Sequence, residues 1–229
     1  MKKYVALHFL PGAGGNFISR CINLLENTYV WSNAHTLTLE KKLELFSYND
    51  WKTDSDGNWI AFEHKLLHYN SSLPHLDIDK DGVAVFITHP QSLTWIGSKY
   101  AGIDDLALNV YIDCKEVLKW CIINASFKNS FQTMPWFNNA EIIENNDTIF
   151  KINLKKIIES YEGFFTEFSR LALYLDRTIG PLEEAALHTL YNQWKTTWIP
   201  DDRIVEAKQG MVEILTKLLN CLNNEGLKW

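Results

Sequence analysis

The chain has 229 residues, of which 46% are hydrophobic and 22% are charged, and its formal net charge is −6. This composition excludes a disordered or fibrous chain, and the lack of a fixed sequence period excludes a repeat protein. The negative charge disfavours nucleic-acid binding, and no window approaches the ~18 apolar residues of a membrane span. We therefore expect a soluble cytoplasmic protein with neither a nucleic-acid nor a membrane partner.

The first half of the chain alternates predicted strands and helices. Residues 4–10 form a near-continuous apolar run, which is typical of a parallel strand buried on both faces. A glycine-rich turn follows, and apolar residues then recur at helical spacing over residues 17–25. Helical spacing returns over residues 37–46, and residues 59–62 and 83–87 are predicted as the second and third strands, each ended by polar residues.

The second half is predicted to be mainly helical. Residues 104–126 carry a long apolar stripe at helical spacing and are predicted as the longest helix, and residues 148–152 as a fourth strand. From residue 154 onward the pattern is helical. The alternation predicts one α/β domain over residues 1–229, a three-layer sandwich with a mostly parallel sheet, in which residues 153–229 form a mainly helical C-terminal part.

The cysteines and histidines do not suggest a metal or disulfide framework. No C-x-x-C pair is present, and the pattern predicts reduced thiols in the core. The cysteines concerned are Cys21, Cys114, Cys121 and Cys221. His64 and His68 are four residues apart, but no third ligand lies at a suitable spacing, so we expect no metal site.

An aromatic stripe runs through the C-terminal part. Tyr191, Trp194 and Trp198 recur at helical spacing, and the sequence ends in Trp229. Such a stripe is typical of a helix that packs in the core. Because tryptophan and tyrosine also favour interfaces, a homo-oligomer formed through the C-terminal helices stays open.

The glycine-rich turn is the most informative motif. It places Gly12, Gly14 and Gly15 between a buried strand and a helix N-terminus, where unpaired backbone N–H groups and the helix dipole favour an anion. The motif is not a Walker A loop, which needs a lysine followed by serine or threonine, and its spacing is not G-x-G-x-x-G. The alternative is a tight turn that binds no ligand.

This segment resembles the 5′-phosphosulfate-binding loop of the P-loop sulfotransferases, Pro-Lys-Ser-Gly-Thr-Thr followed by an aromatic residue. Pro11, Gly14 and Phe17 match that motif. Gly12 stands in place of its lysine, while Gly15 and Asn16 stand in place of its two threonines. The resemblance implies that 3′-phosphoadenosine 5′-phosphosulfate binds to this loop, which comprises Pro11, Gly12, Ala13, Gly14, Gly15, Asn16 and Phe17.

The resemblance also implies a catalytic base and a 3′-phosphate site. In that family a second strand ends in a base, and Glu63, His64 and Lys65 occupy the corresponding place, with Lys65 able to supply the cation that Gly12 lacks. The alternative is that these three residues only end a strand at the surface. Thr88 replaces the arginine of the 3′-phosphate site, and Ser98 lies near the position of its serine.

Two functions follow from these residues. The first is a sulfotransferase-like enzyme that moves a sulfuryl group from the phosphosulfate nucleotide to a hydroxyl of a small molecule or saccharide, with His64 or Glu63 as base. The second is a P-loop-like binding or assembly module without transfer chemistry, which the replacements at Gly12 and Thr88 favour. A nucleotide or sugar kinase with a degenerate loop is a third and weaker interpretation.

Overall fold

The structure, a computed structural model, describes residues 3–10, 12–29, 82–88, 107–117, 121 and 146–198. The described strands are β1 (Lys3–His8), β2 (Thr28–Tyr29), β3 (Val83–Thr88), β4 (Ala107–Asp113) and β5 (Phe150–Asn153). The described α-helices are α1 (Gly15–Leu24), α2 (Leu154–Glu159), α3 (Tyr161–Tyr174) and α4 (Pro181–Trp198). A short 3-10 helix, Lys115–Val117, follows β4.

The described strands form one parallel sheet in the order β2-β3-β1-β4-β5. Strand β1 lies at the centre, and its last residue, His8, is in register with Thr88 of β3 and Tyr111 of β4. The carboxyl ends of the strands therefore meet at one edge, where the chain leaves β1 for the glycine-rich turn. This sheet and its helices confirm the predicted α/β class.

One face of the sheet is apolar and packs against helices. Successive strand residues point to opposite faces, so Val5 and Leu7 share one face, and they are 1% and 0% exposed. On β5, Phe150 stacks on Tyr174 of α3, with the ring centroids 4.6 Å apart. The buried residues of β1, β3, β4 and β5 thus belong to one core with α1, α3 and α4. Each fully buried large side chain of that core contributes about 1.5–3 kcal/mol.

The opposite face of the central strands is more polar. It carries Ala6 and His8 from β1, and Asn109 and Tyr111 from β4 lie in register with them. His8 is 2% exposed and Tyr111 is 0% exposed. The two faces of the sheet therefore differ in chemistry, and on the second face His8 and Tyr111 are buried while Asn109 is half-buried.

The predicted helix over residues 104–126 is wrong in its first half. Residues Ala107–Asp113 form β4, which pairs with both β1 and β5, and only the 3-10 helix and Cys121 are described beyond Cys114. Five of the seven residues in Ala107–Asp113 are apolar or aromatic, and so short a run matches helical and strand periods equally well. Burial between β1 and β5 decides for the strand, since both faces of a central parallel strand are covered.

The other predicted elements agree with the structure where it describes them. The strands predicted at 4–10, 83–87 and 148–152 are confirmed as β1, β3 and β5, and the helix predicted at 17–25 as α1. The C-terminal part is helical as predicted through Trp198. The elements predicted at 37–46 and 59–62 lie outside the described residues, as does the chain beyond residue 198. Strand β2 had no counterpart among the predicted elements.

Two further expectations concern cysteines and membranes. Three of the cysteines, Cys21, Cys114 and Cys121, are free and buried, as predicted, and burial raises the pKa of the Cys21 thiol. Cys221 lies outside the described residues. Within the described segments, no helix has the length and apolar character needed to cross a bilayer.

Candidate anion-binding loop

The glycine-rich turn adopts the left-handed backbone conformation at two positions. Gly12 has φ 79° and Gly14 has φ 73°, a region that side chains other than glycine enter at a cost of about 1–2 kcal/mol. The turn closes where the N–H of Ala13 donates to the carbonyl of Leu10 at 2.9 Å. Glycine is therefore required at Gly12 and Gly14 by the conformation of the backbone itself.

Gly15 is required for a different reason. Its φ is ordinary, but a Cβ added at this residue would overlap the ring of Phe9. At Gly14 an added Cβ would lie 3.3 Å from Cζ2 of Trp194 and 3.8 Å from Cδ1 of Leu154. The space left by the missing side chains at these two positions is thus filled by the protein's own rings and not by a ligand.

The helix that follows begins without a capping side chain. Gly14 is the N-cap of α1, and its carbonyl accepts the first helical bond from Ile18 at 3.0 Å. Among the described residues, no side chain caps this end, and the first turn holds no acidic residue. The first N–H groups of a helix have no partner within the helix and carry the positive end of its dipole. The α1 N-terminus is therefore the part of the loop suited to an anion.

Phe17 anchors the loop in the core. Its side chain is 1% exposed and stacks on Trp194, with ring centroids 4.3 Å apart and planes 7° apart. It also packs against Phe164, with centroids 5.2 Å apart. The aromatic residue of the motif therefore faces α3 and α4, while Asn16 beside it is half-buried and its carbonyl accepts from the Ser19 hydroxyl at 2.9 Å.

The remaining predicted site residues are mostly outside the described part of the chain. Pro11, Glu63, His64, Lys65 and Ser98 all fall there. Thr88 is described as the last residue of β3, in register with His8 at the carboxyl edge. The structure thus brings the backbone of Thr88 to the same edge as the glycine-rich turn, next to the strand from which that turn leaves.

A buried histidine lies at the base of the loop. The Nε2 atom of His8 is 3.1 Å from Oδ1 of Asn109 on the neighbouring strand. Burial lowers the pKa of His8 to about 4, against a smaller opposing effect of the hydrogen bond with Asn109. His8 is therefore neutral at pH 7. The sequence signal for this pair was a histidine within the first apolar run, but Asn109 lay in a segment predicted as helix.

Charged groups occupy the carboxyl end of β4, the strand beside β1. Asp113 accepts a hydrogen bond from the backbone N–H of Lys115 at 3.0 Å. Glu116 pairs with Lys155 at 2.9 Å, and this hydrogen bond is the main reason that the pKa of Glu116 is lowered. These exposed groups were missed in the sequence because the end of β4 was itself not predicted.

A buried carboxylate organises the corner formed by β5, α2 and α3. Glu167 is 1% exposed and accepts from the backbone N–H of Asn153 at 3.1 Å. Its oxygens also bind Lys156 at 3.2 Å and Arg170 at 2.8 Å. Since each of these partners lies on a different element or turn, Glu167 ties the corner together and has a structural role.

The chain matches no protein-family model, no curated protein and no solved structure at a significant level. In the described residues, no group of three or more His, Cys, Asp or Glu side chains is placed to hold a metal ion. The function is therefore argued from the loop and its surroundings.

Proposed function

We propose that this protein is sulfotransferase-like and binds the phosphosulfate group of 3′-phosphoadenosine 5′-phosphosulfate at the N-terminus of α1. The observation that carries the proposal is the uncapped start of this helix, preceded by two left-handed glycines. An anionic group would supply acceptors to backbone N–H groups that have no partner within the helix, and it would lie at the positive end of the helix dipole.

The position of the loop in the sheet supports the same proposal. From β1 the chain proceeds to β2 on one side of the sheet, and β5 follows β4 on the other side, while β1 and β4 are neighbours. Ligands of open α/β sheets bind outside the carboxyl ends of the strands, where the connections diverge in this way. The glycine-rich turn follows β1, the central strand of the described sheet, at that point.

The chemistry beyond binding depends on groups near the loop. Sulfuryl transfer needs a base for the acceptor hydroxyl and a cation for the charge that develops on the leaving phosphate. We propose His64 or Glu63 as the base and Lys65 as the cation, acting on a hydroxyl of a small molecule or saccharide. The acceptor oxygen would form a bond to sulfur while the bond from sulfur to the bridging oxygen of the phosphosulfate breaks. The hydroxyl proton would pass to the base, and adenosine 3′,5′-bisphosphate would be the leaving group.

One observation favours a second candidate, a binding module without transfer chemistry. Gly12 stands where the sulfotransferases have their lysine, and its φ of 79° is a conformation that a lysine would adopt only with strain. The backbone conformation at this position therefore disfavours a lysine. A protein with this anion-binding loop but without the lysine cation would bind a nucleotide anion and leave it unchanged.

Calorimetric titration of the full chain with adenosine 3′,5′-bisphosphate tests the proposal. We expect saturable binding that is lost in Gly14→Val, because valine disturbs the left-handed N-cap and meets Trp194. Ser160→Ala, which removes a side-chain cap from α3, is the matched control and retains the wild-type affinity. If Gly14→Val does not fold, Gly12→Ala replaces it as a milder change in the same loop, and we expect weaker binding by this variant.

The outcome also separates the two candidates. A folded wild-type chain that does not bind the bisphosphate would overturn both. Binding together with conversion of the phosphosulfate donor to the bisphosphate, in the presence of hydroxyl acceptors, supports the enzyme. Binding without any conversion supports the binding module.

A further inference from the structure

The geometry around Gly14 points to Trp194 as a positioning residue for the anion-binding loop. We propose that Trp194 of α4, together with Leu154 at the start of α2, holds the α1 N-terminus in the conformation that binds an anion. This inference rests on the proposed function for its ligand. Its structural part, the control of the loop by the C-terminal helices, stands on the contacts alone.

Trp194 touches the loop at both ends of its first helical turn. Its Cζ2 and Cε2 atoms lie 3.3 Å and 3.9 Å from the position of a Cβ on Gly14, and its ring stacks on Phe17 at 4.3 Å. Trp194 is 2% exposed, so these contacts are made inside the core. One rigid ring system therefore spans the N-cap and the first turn of α1.

Leu154 forms the other side of the same contact. It is 0% exposed, and its Cδ1 atom lies 3.8 Å from the position of a Cβ on Gly14. Leu154 begins α2 directly after β5, so its place is set by the sheet. Gly14 is thus held between a helix of the C-terminal part and an element fixed to the edge of the sheet.

This contact adds packing from outside the loop to the loop's own hydrogen bonds. Gly14 is left-handed and has no side-chain cap among the described residues, and the turn before it is closed by the 2.9 Å bond from Ala13 to Leu10. Binding groups that are fixed before the ligand arrives bind more tightly, because less conformational entropy is lost on binding. Packing by Trp194 supplies that order from a helix about 180 residues further along the chain.

The test compares two substitutions in the same aromatic cluster. Trp194→Leu removes the ring system over Gly14, and Phe168→Leu removes a ring that is 1% exposed and packs on Phe164, with centroids 5.6 Å apart, without any described contact to the loop. Trp194→Phe keeps an aromatic ring beside Phe17 and serves as the conservative variant if Trp194→Leu does not fold.

The first readout needs no ligand. Hydrogen–deuterium exchange of the amides of residues 12–17 is expected to become about tenfold faster in Trp194→Leu and to change little in Phe168→Leu, at matched overall stability. Trp194→Phe is expected to lie between Trp194→Leu and the wild type. Equal exchange in Trp194→Leu and Phe168→Leu overturns the inference, whether or not the protein binds a nucleotide.

The second readout is the affinity for adenosine 3′,5′-bisphosphate by calorimetry. We expect about tenfold weaker binding in Trp194→Leu and unchanged binding in Phe168→Leu. If the wild type binds and Trp194→Leu binds equally well, the positioning role is wrong and the proposed function stands. If the folded wild type does not bind, the proposed function fails, while the exchange result still decides whether Trp194 controls the loop.

Discussion

The glycine-rich turn after β1 and the corner after β5 perform the same structural task in opposite ways. Each ends a parallel strand and starts a helix. At the corner, the Asn153 side chain accepts from the N–H of Lys156, and the Ser160 hydroxyl accepts from the N–H of Gly163. At the turn, the N-cap is Gly14, and no described side chain takes the corresponding place.

The difference indicates which helix start is available to a ligand. The N-termini of α2 and α3 are satisfied by the chain's own side chains, and α3 carries Glu162 in its first turn. A bound anion would therefore add less stabilisation at the starts of these two helices, because side chains already accept hydrogen bonds from N–H groups there. Among the described residues, the α1 N-terminus has no side-chain cap and no acidic residue in its first turn, and it lies beside the divergent connections of β1 and β4. These features support the anion site proposed there.

The largest effect we expect from this comparison is on the pH dependence of stability, through His8 below the turn. The pKa of His8 is about 4 in the folded protein and 6.5 as its ordinary value, because burial disfavours the charged ring. The unfolded chain therefore takes up the proton first as the pH falls. The stability is full above pH 6.5 and decreases by about 3 kcal/mol between pH 6.5 and 4.

Urea unfolding at pH 7, 5.5 and 4.5 measures this loss, and His8→Gln is expected to flatten it. His188→Gln, at an exposed histidine of α4, is the matched control and keeps the wild-type pH profile. If His8→Gln kept the wild-type dependence of stability on pH, the buried His8 ring would not be the group responsible for the loss at low pH. The region of the turn would then not differ from the corner after β5 in this respect.

A smaller effect, about 2 kcal/mol, is expected for Glu167→Gln at the corner. A glutamine with its amide oxygen in the place of Oε2 keeps the acceptor for the backbone N–H of Asn153 and for Arg170, but its amide nitrogen then faces Lys156. The side chains of these two cations are more than half exposed, so much of their charge is screened, and the loss should fall further as salt is added.

Chemical denaturation of Glu167→Gln at low and high salt gives this value. Glu162→Gln, an exposed position in the first turn of the same helix, serves as the control and should change stability by less than about 1 kcal/mol, the helix-dipole contribution of such a carboxylate. If Glu167→Gln were as stable as the wild type, the Glu167 carboxylate would not stabilise the corner. The helix starts at this corner would then be stabilised by the Asn153 and Ser160 caps alone.

The sequence predicted the parts of this comparison that are local. The apolar run of β1, the clustered glycines and the helical spacing of α1 lie within 25 residues, so the strand, turn and helix could be predicted as a unit. The caps at Asn153 and Ser160 were not among the predicted features, although their signal, a polar residue just before a helical pattern, is also local. The carboxyl edge of β3 was also predicted, and Thr88 lies there.

The parts that depend on distant residues could not be predicted in the same way. The apolar residues of β4 fit both the helical and the strand period, and pairing with its neighbours β1 and β5 makes this segment a strand. The contact of Trp194 with Gly14 joins residues far apart in the chain, and the stripe that contains Trp194 indicated only a core position. The glycines were expected to admit a ligand, whereas the space at Gly14 and Gly15 is taken by Trp194 and Phe9.

The smallest expected effect tests the caps themselves. Ser160→Ala should cost about 1 kcal/mol, because the N–H of Gly163 loses the acceptor that lies 3.0 Å away. Thermal unfolding compared with Ser169→Ala, a serine further along α3, isolates the cap from the helix propensity of alanine. Without the Ser160 hydroxyl, the start of α3 would lack a side-chain cap, as the start of α1 does among the described residues. If Ser160→Ala lost no more stability than Ser169→Ala, side-chain caps would contribute little in this fold, and the bare N-terminus of α1 would no longer distinguish it from the others.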